Sequence, residues 1–202
     1  MRATIGLALA ALLASSAQSA AAATPEHLVL SPFPGGWKQI TNKAGAQGFI
    51  HEQVPGNHAA TDYSDIVTDQ GFVANRGADP ADFLRNIFAN VGAACIGAKV
   101  NGPTSKIEGG YRVAYGQVRC GMQRGQAFGV HIFYKAISGD AALYYVSRST
   151  QVPASADGDL LAFPKSQAAQ AAALMRTEAA TDQWLVNKVY LCGGRSTDPR
   201  CR

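Results

Sequence analysis

The feature that most constrains this chain is an even set of cysteines, Cys95, Cys120, Cys192 and Cys201, following an export leader. The leader runs from Met1-Arg2-Ala3-Thr4 through an apolar stretch at 5–13 into a small-residue tract at 14–23, the pattern of a secretory signal peptide. Its apolar core is far shorter than the ~20 residues a membrane-spanning helix needs. Small residues allow cleavage after Ala22 or Ala23, and no cysteine is placed there for a lipid anchor. The reading is therefore a leader over 1–23 and one domain over 24–202, periplasmic or secreted, with no transmembrane segment in the mature chain. In that oxidising compartment the default for four cysteines is two disulfides. A four-thiolate zinc site is disfavoured because neither pair has C-x2-4-C spacing.

Local patterns choose among the three pairings. Asp79-Pro80-Ala81-Asp82 is a helix start, with a capping carboxylate, proline at the first position and a second acid near the positive end of the dipole. Phe83, Leu84, Ile87, Phe88, Val91 and Ala94 follow at helical spacing, so a helix is expected over 80–95 with Cys95 at the end of its apolar face. Cys120 shares a strand face with Val118 and Met122, and a Cys95–Cys120 bond would pin that helix to the sheet. Cys192 is expected to end a second helix at 184–191, stopped by Gly193-Gly194, with Cys192–Cys201 closing the tail.

Residues 110–150 read as an antiparallel meander, with strands expected at 111–122, 127–137 and 142–150. Phe128, Val130, Ile132 and Tyr134 share one face of the middle strand; His131, Phe133 and Lys135 share the other. Residues 24–34 read as a mobile lead, after which Trp37 opens the ordered chain. Further strands are expected at 47–55 and 63–72, and an alanine-rich helix at 166–177 docks Leu174 and Met175, with a break near Thr181-Asp182. The fold class is α+β, a disulfide-stapled antiparallel sheet with helices on one face.

Without the leader, 17 basic residues face 14 acidic ones, a net charge of about +3 with no run of like charge, so nothing calls for nucleic acid. No G-x-S-x-G, H-E-x-x-H, P-loop or G-x-G-x-x-G pattern occurs, and no cofactor or metal is expected. Among the histidines, His51-Glu52 with His58 is the one cluster with chemical reach, as a general base or metal ligands. Against it, neighbours on a strand point to opposite faces. Tyr111, Tyr115, Phe133, Tyr144 and Tyr145, with Arg112, Arg119 and Arg148, are candidates to line a binding groove; Tyr115, Phe133, Tyr145 and Arg148 are singled out.

The leader, the tryptophan-led first strand, Glu52-Gln53-Val54-Pro55, the segment 63–70, the Asp79-Pro80 helix and the cysteine-closed tail together resemble a poorly characterised family of exported proteobacterial proteins. The order of elements is similar to the PsbP-type α+β fold. The resemblance implies fold and compartment and transfers no catalytic or binding residue. Two functions follow as expectations. One is a non-catalytic envelope or secreted domain that binds a protein, glycan or lipid-like ligand through the open side of its sheet. The alternative is a hydrolase or metal-dependent enzyme built on His51, Glu52 and His58.

Overall fold

The computed structural model describes residues 24–32, 36–155 and 165–202; the leader, and with it the signal-peptide reading, lies outside them. The strands are β1 (His27–Leu30), β2 (Trp37–Gly45), β3 (Gly48–Pro55), β4 (Asp65–Phe72), β5 (Cys95–Glu108), β6 (Tyr111–Gln123), β7 (Phe128–Ser138), β8 (Leu143–Pro153) and β9 (Val189–Cys192). The helices are α1 (Pro80–Ala93) and α2 (Ala168–Lys188). Seven strands form one antiparallel sheet in the order β2-β3-β4-β8-β7-β6-β5, while β1 pairs with β9 in a separate two-stranded ribbon. Among the described residues, no helix is long and apolar enough to cross a membrane.

The α+β class and both disulfides, Cys95–Cys120 and Cys192–Cys201, are present. Asp79 caps α1 by accepting from the Ala81 and Asp82 amides at 2.8 and 3.1 Å. The helix stops at Ala93, however, and Cys95 opens β5, paired opposite Gln123. The disulfide therefore ties two adjacent strands at the helix exit rather than helix to sheet. β5 was not legible as a strand because it is an edge, mostly exposed and interrupted at Gly102-Pro103, and so lacks the alternation that marks a half-buried strand.

Helix α2 departs further from expectation. It runs unbroken through Thr181 and Asp182, and the segment read as a second helix divides into its last turns and strand β9. The buried stripe of α2 is Ala171, Leu174, Glu178, Thr181, Trp184 and Leu185, at helical spacing but with a carboxylate and a hydroxyl in the middle. Those two polar members hide the periodicity. Leu174 is buried as expected, whereas Met175 points outward. Val189-Tyr190-Leu191 opens on a β-branched residue and an aromatic, and pairs residue for residue with β1, so His27–Leu30 of the supposed mobile lead is a strand.

The helices divide between the two faces of the sheet instead of sharing one. On one side Leu84 and Phe88 of α1 pack against Ala114, Val118, Tyr134 and Ala136. On the other, Trp184 and Leu185 of α2 meet Phe133, Val146 and Val67. Alternation along the central strands produces this: with apolar residues on both faces, each face needs its own cover. At the β1 end a third cluster joins Tyr111, Val113, Ile137, Tyr144 and Leu191.

Candidate functional site

Beneath α2 the sheet contributes charged side chains, each met by a specific partner. His131 Nδ1 lies 2.6 Å from Glu178 Oε1, and Arg119 Nη2 donates to Glu178 Oε2 at 2.7 Å. Burial raises the Glu178 pKa, but the hydrogen bonds from His131 and Arg119 outweigh it and hold the carboxyl below its ordinary value. Arg148 forms a two-pronged pair with Asp65, at 2.9 and 2.7 Å, and donates to Thr181 Oγ1 at 2.9 Å. Lys135, with no exposed surface, donates to Glu108 Oε2 at 2.8 Å and to the Leu185 and Val189 carbonyls at 2.9 and 2.5 Å. The two carbonyls belong to the end of α2, where intrahelical donors run out. Burial pulls Lys135 down to about 8. Glu108, pushed up by burial, is brought below its ordinary value by Lys106, Lys135 and Tyr115 together. These three clusters fasten α2 to the sheet.

At the opposite end of the same face α2 no longer covers the strands, and a groove of about 530 Å³ opens between β1 and strands β3, β4 and β8. Register builds its floor in rows. Phe49, Gly71 and Tyr144 stand opposite one another across the three strands, as do His51, Asp69 and Val146. Gly71 is required here, because a Cβ would come within 2.4 Å of the Phe49 ring lying over it. Phe49 stacks on His51 at 4.9 Å and lies 6.2 Å from Tyr144. His51 Nδ1 meets Asp69 Oδ2 at 2.8 Å, with Asp69 only 5% exposed and the imidazole one-third exposed. Desolvation outweighs the His51 hydrogen bond and raises the Asp69 pKa. Glu26 and His27 stand at the β1 rim.

Of the sequence-nominated trio, this groove receives only His51. Glu52 points to the other face and accepts from Thr41 Oγ1 at 2.6 Å. His58 sits in the turn after β3, its Nδ1 3.2 Å from Asp62 Oδ2 and its carbonyl accepting from Lys38. Among the described residues, no three His, Cys, Asp or Glu side chains converge in a metal-binding arrangement. His27 is exposed, and His131 is buried against Glu178.

The aromatic set divides as well. Tyr115 and Phe133 line a second recess of about 270 Å³ together with Asn101, Thr104, Gln117 and Asp182. Tyr115 donates its hydroxyl to Glu108 at 2.7 Å, and Phe133 lies under α2. Arg148 shares their face but is 6% exposed and held by Asp65 and Thr181, while Tyr145 points to the α1 side and packs against Phe83 and Tyr134. Tyr111 donates to the Gly193 carbonyl at 2.8 Å. The groove residue that sequence reasoning missed is Asp69. Its only sequence signal is an acid in the β-rich segment 63–72, and the β3–β4 register that sets it opposite His51 is not encoded locally.

No protein-family model and no curated protein matches the chain. Among solved structures it is similar to LpqN, described as involved in cell envelope biogenesis of Mycobacterium tuberculosis, at 12% identity over 87% of each chain with a TM-score of 0.37. A likeness at that level carries no argument.

Proposed function

We propose that this chain is an exported domain, periplasmic or secreted once a leader over 1–23 is removed, that binds a ligand without transforming it, and that the groove over β3, β4 and β8 is its binding site. One observation carries the reading. The groove is a concave surface where ring faces, an imidazole one-third exposed and a buried carboxylate with a raised pKa converge, the combination that marks a binding site. The charged groups under α2, by contrast, are consumed in holding that helix. Two disulfides and the absence of a membrane-spanning helix among the described residues fit an envelope or extracellular setting. Descent from the exported proteobacterial family, and kinship with the PsbP-type fold, belong to the same proposal.

Ligand-detected NMR with a mixed fragment library on the exported chain tests it, with His51→Ala and Gln53→Ala as groove variants and Thr104→Ala as a variant of the second recess. Binding lost in the groove variants and kept in Thr104→Ala is the expected result. The reverse pattern moves the site to the recess beside Tyr115 and Phe133 and refutes the groove assignment.

A hydrolase remains the second reading because of one contact: Asp69 fixes the Nδ1 side of His51 and leaves Nε2 to act as a general base. No serine, threonine or cysteine lines the groove, so water would be the nucleophile. Turnover of ester, amide or glycoside substrates by the wild type, abolished in His51→Ala, would establish this reading against simple binding.

A further inference from the structure

Among the described residues the two buried carboxylates besides Asp69, namely Glu178 and Asp198, are held by arginine, and half-buried Asp65 and Glu108 by arginine or lysine. Glu178 has Arg119 at 2.7 Å, Asp65 has Arg148 at 2.7 Å, Glu108 has Lys135 at 2.8 Å and Asp198 has Arg200 at 2.5 Å. Asp69 departs from this pattern. It is 5% exposed, its side chain is met by His51, and no lysine or arginine lines the groove it faces. A second carboxylate, Glu26, stands at the rim, held in place by the Asp140 and Ala141 amides at 2.8 and 2.9 Å. Three rings, Phe49, His51 and Tyr144, lie beside Asp69, and the electron-rich faces of phenyl and phenol rings attract organic cations. Leu28 and Leu30 of β1 supply an aliphatic wall. A carboxylate desolvated without a fixed counter-charge costs free energy that a bound cation would recover.

We propose that the groove takes a small organic cation, a primary ammonium or guanidinium on a short apolar stem, with the charge against Asp69 beside the Phe49 and Tyr144 rings and the stem along Leu28 and Leu30. This rests on the groove being the ligand site. The same chemistry occurs in free amines and in lysine or arginine side chains of a peptide; a volume of about 530 Å³ suits a free molecule of small-ligand size.

The test is a titration of the ¹⁵N-labelled exported chain with n-pentylamine and n-butylguanidine, against 1-pentanol and valerate as neutral and anionic controls and a short lysine-containing peptide as the competing source. Expected are saturable shifts of the Phe49, His51, Asp69 and Tyr144 amides with the two cations, at least tenfold tighter than with either control. Asp69→Asn, which keeps an acceptor for His51, weakens the cations at least tenfold with its melting temperature not lowered. Should that variant fail to fold, the comparison of cation with neutral and anionic probes on the wild type decides alone. Pentanol or valerate binding the groove as tightly as n-pentylamine overturns the cation inference and leaves the groove reading standing. Binding by the peptide alone overturns the small-molecule form. Shifts confined to Asn101, Thr104 and Gln117 overturn both the inference and the groove reading. No response to the cations or to the peptide at ~10 mM, where even a dissociation constant of that order would register, refutes the cation class.

Discussion

Replacing Lys135 by methionine tests whether α2 is held by charge as well as by packing. The substitution keeps the aliphatic stem and removes the ammonium, so Glu108 and the Leu185 and Val189 carbonyls each lose a donor. Breaking one partner of a buried ion pair costs about 3–5 kcal/mol. Glu108 retains Lys106 and Tyr115, which places the expected loss at the lower end, about 3 kcal/mol. With a urea slope of ~2 kcal/mol/M, the unfolding midpoint should fall by ~1.5 M. Replacing Glu108 by glutamine in the same chain should recover part of this, since the uncompensated carboxylate is gone. The pH dependence has a definite sign. Lys135 is depressed to about 8 in the native state against an ordinary value of 10.5, so between those values the unfolded chain binds more protons and stability rises with pH. The methionine variant lacks this gain, and the gap between the two proteins should widen from pH 8 upward. Urea unfolding followed by far-UV circular dichroism at several pH values measures both effects. A midpoint shift under ~0.3 M, or a gap that narrows with pH, would show that α2 is held by its apolar contacts alone.

Three other substitutions probe separate parts of the argument. Glu178→Gln leaves half-buried Arg119 and buried His131 beside a neutral group and should cost about 3 kcal/mol at pH 7. Because the Glu178 pKa is lowered on folding, its contribution is present above the unfolded value and lost as pH falls through the folded one, so calorimetry should show the wild type losing stability on acidification more steeply than the variant. Cys192→Ser with Cys201→Ser opens a loop spanning a separation of 9 residues, expected to cost about 2–3 kcal/mol and to speed amide exchange at the tail while leaving α1 protected. Gly71→Ala forces the Phe49 ring off the groove floor; it should lower the melting temperature, at a cost of about 1–3 kcal/mol, and weaken groove ligands, whereas full retention of both would mean that the floor is softer than the contact implies.

What was legible in the sequence follows the strength of its local signals. The Asp79 cap with Pro80, the three strands of the meander and the Cys192–Cys201 pairing could be read because each rests on neighbours within a few positions or on compartment chemistry, whereas Cys95–Cys120 was reached through a helix-to-sheet contact that is in fact a β5–β6 strand pairing. Helix α2 was broken in two on paper because Glu178 and Thr181 occupy its buried stripe, and no local rule anticipates that His131, Arg119 and Arg148 wait beneath them. His51 was nominated on chemistry, yet Asp69 was not, because their meeting depends on the β3–β4 register. The division of the aromatic set was within reach: Tyr145 and Arg148 are three apart on one strand, and a period of two sends them to opposite faces.

The pairing of β1 with β9 has a consequence for the order of events. Leu30 stands opposite Val189, so one wall of the groove is an early segment that must wait for about 160 later residues before it finds its partner. Whether the chain leaves a ribosome or a translocation pore, its first end emerges long before its last. The seven-stranded sheet can assemble in the meantime, but the groove is completed only by closing the loop between the two ends. A chain cut short before Val189 would hold every strand of the seven-stranded sheet and still lack the partner that seats β1 as the wall of the groove.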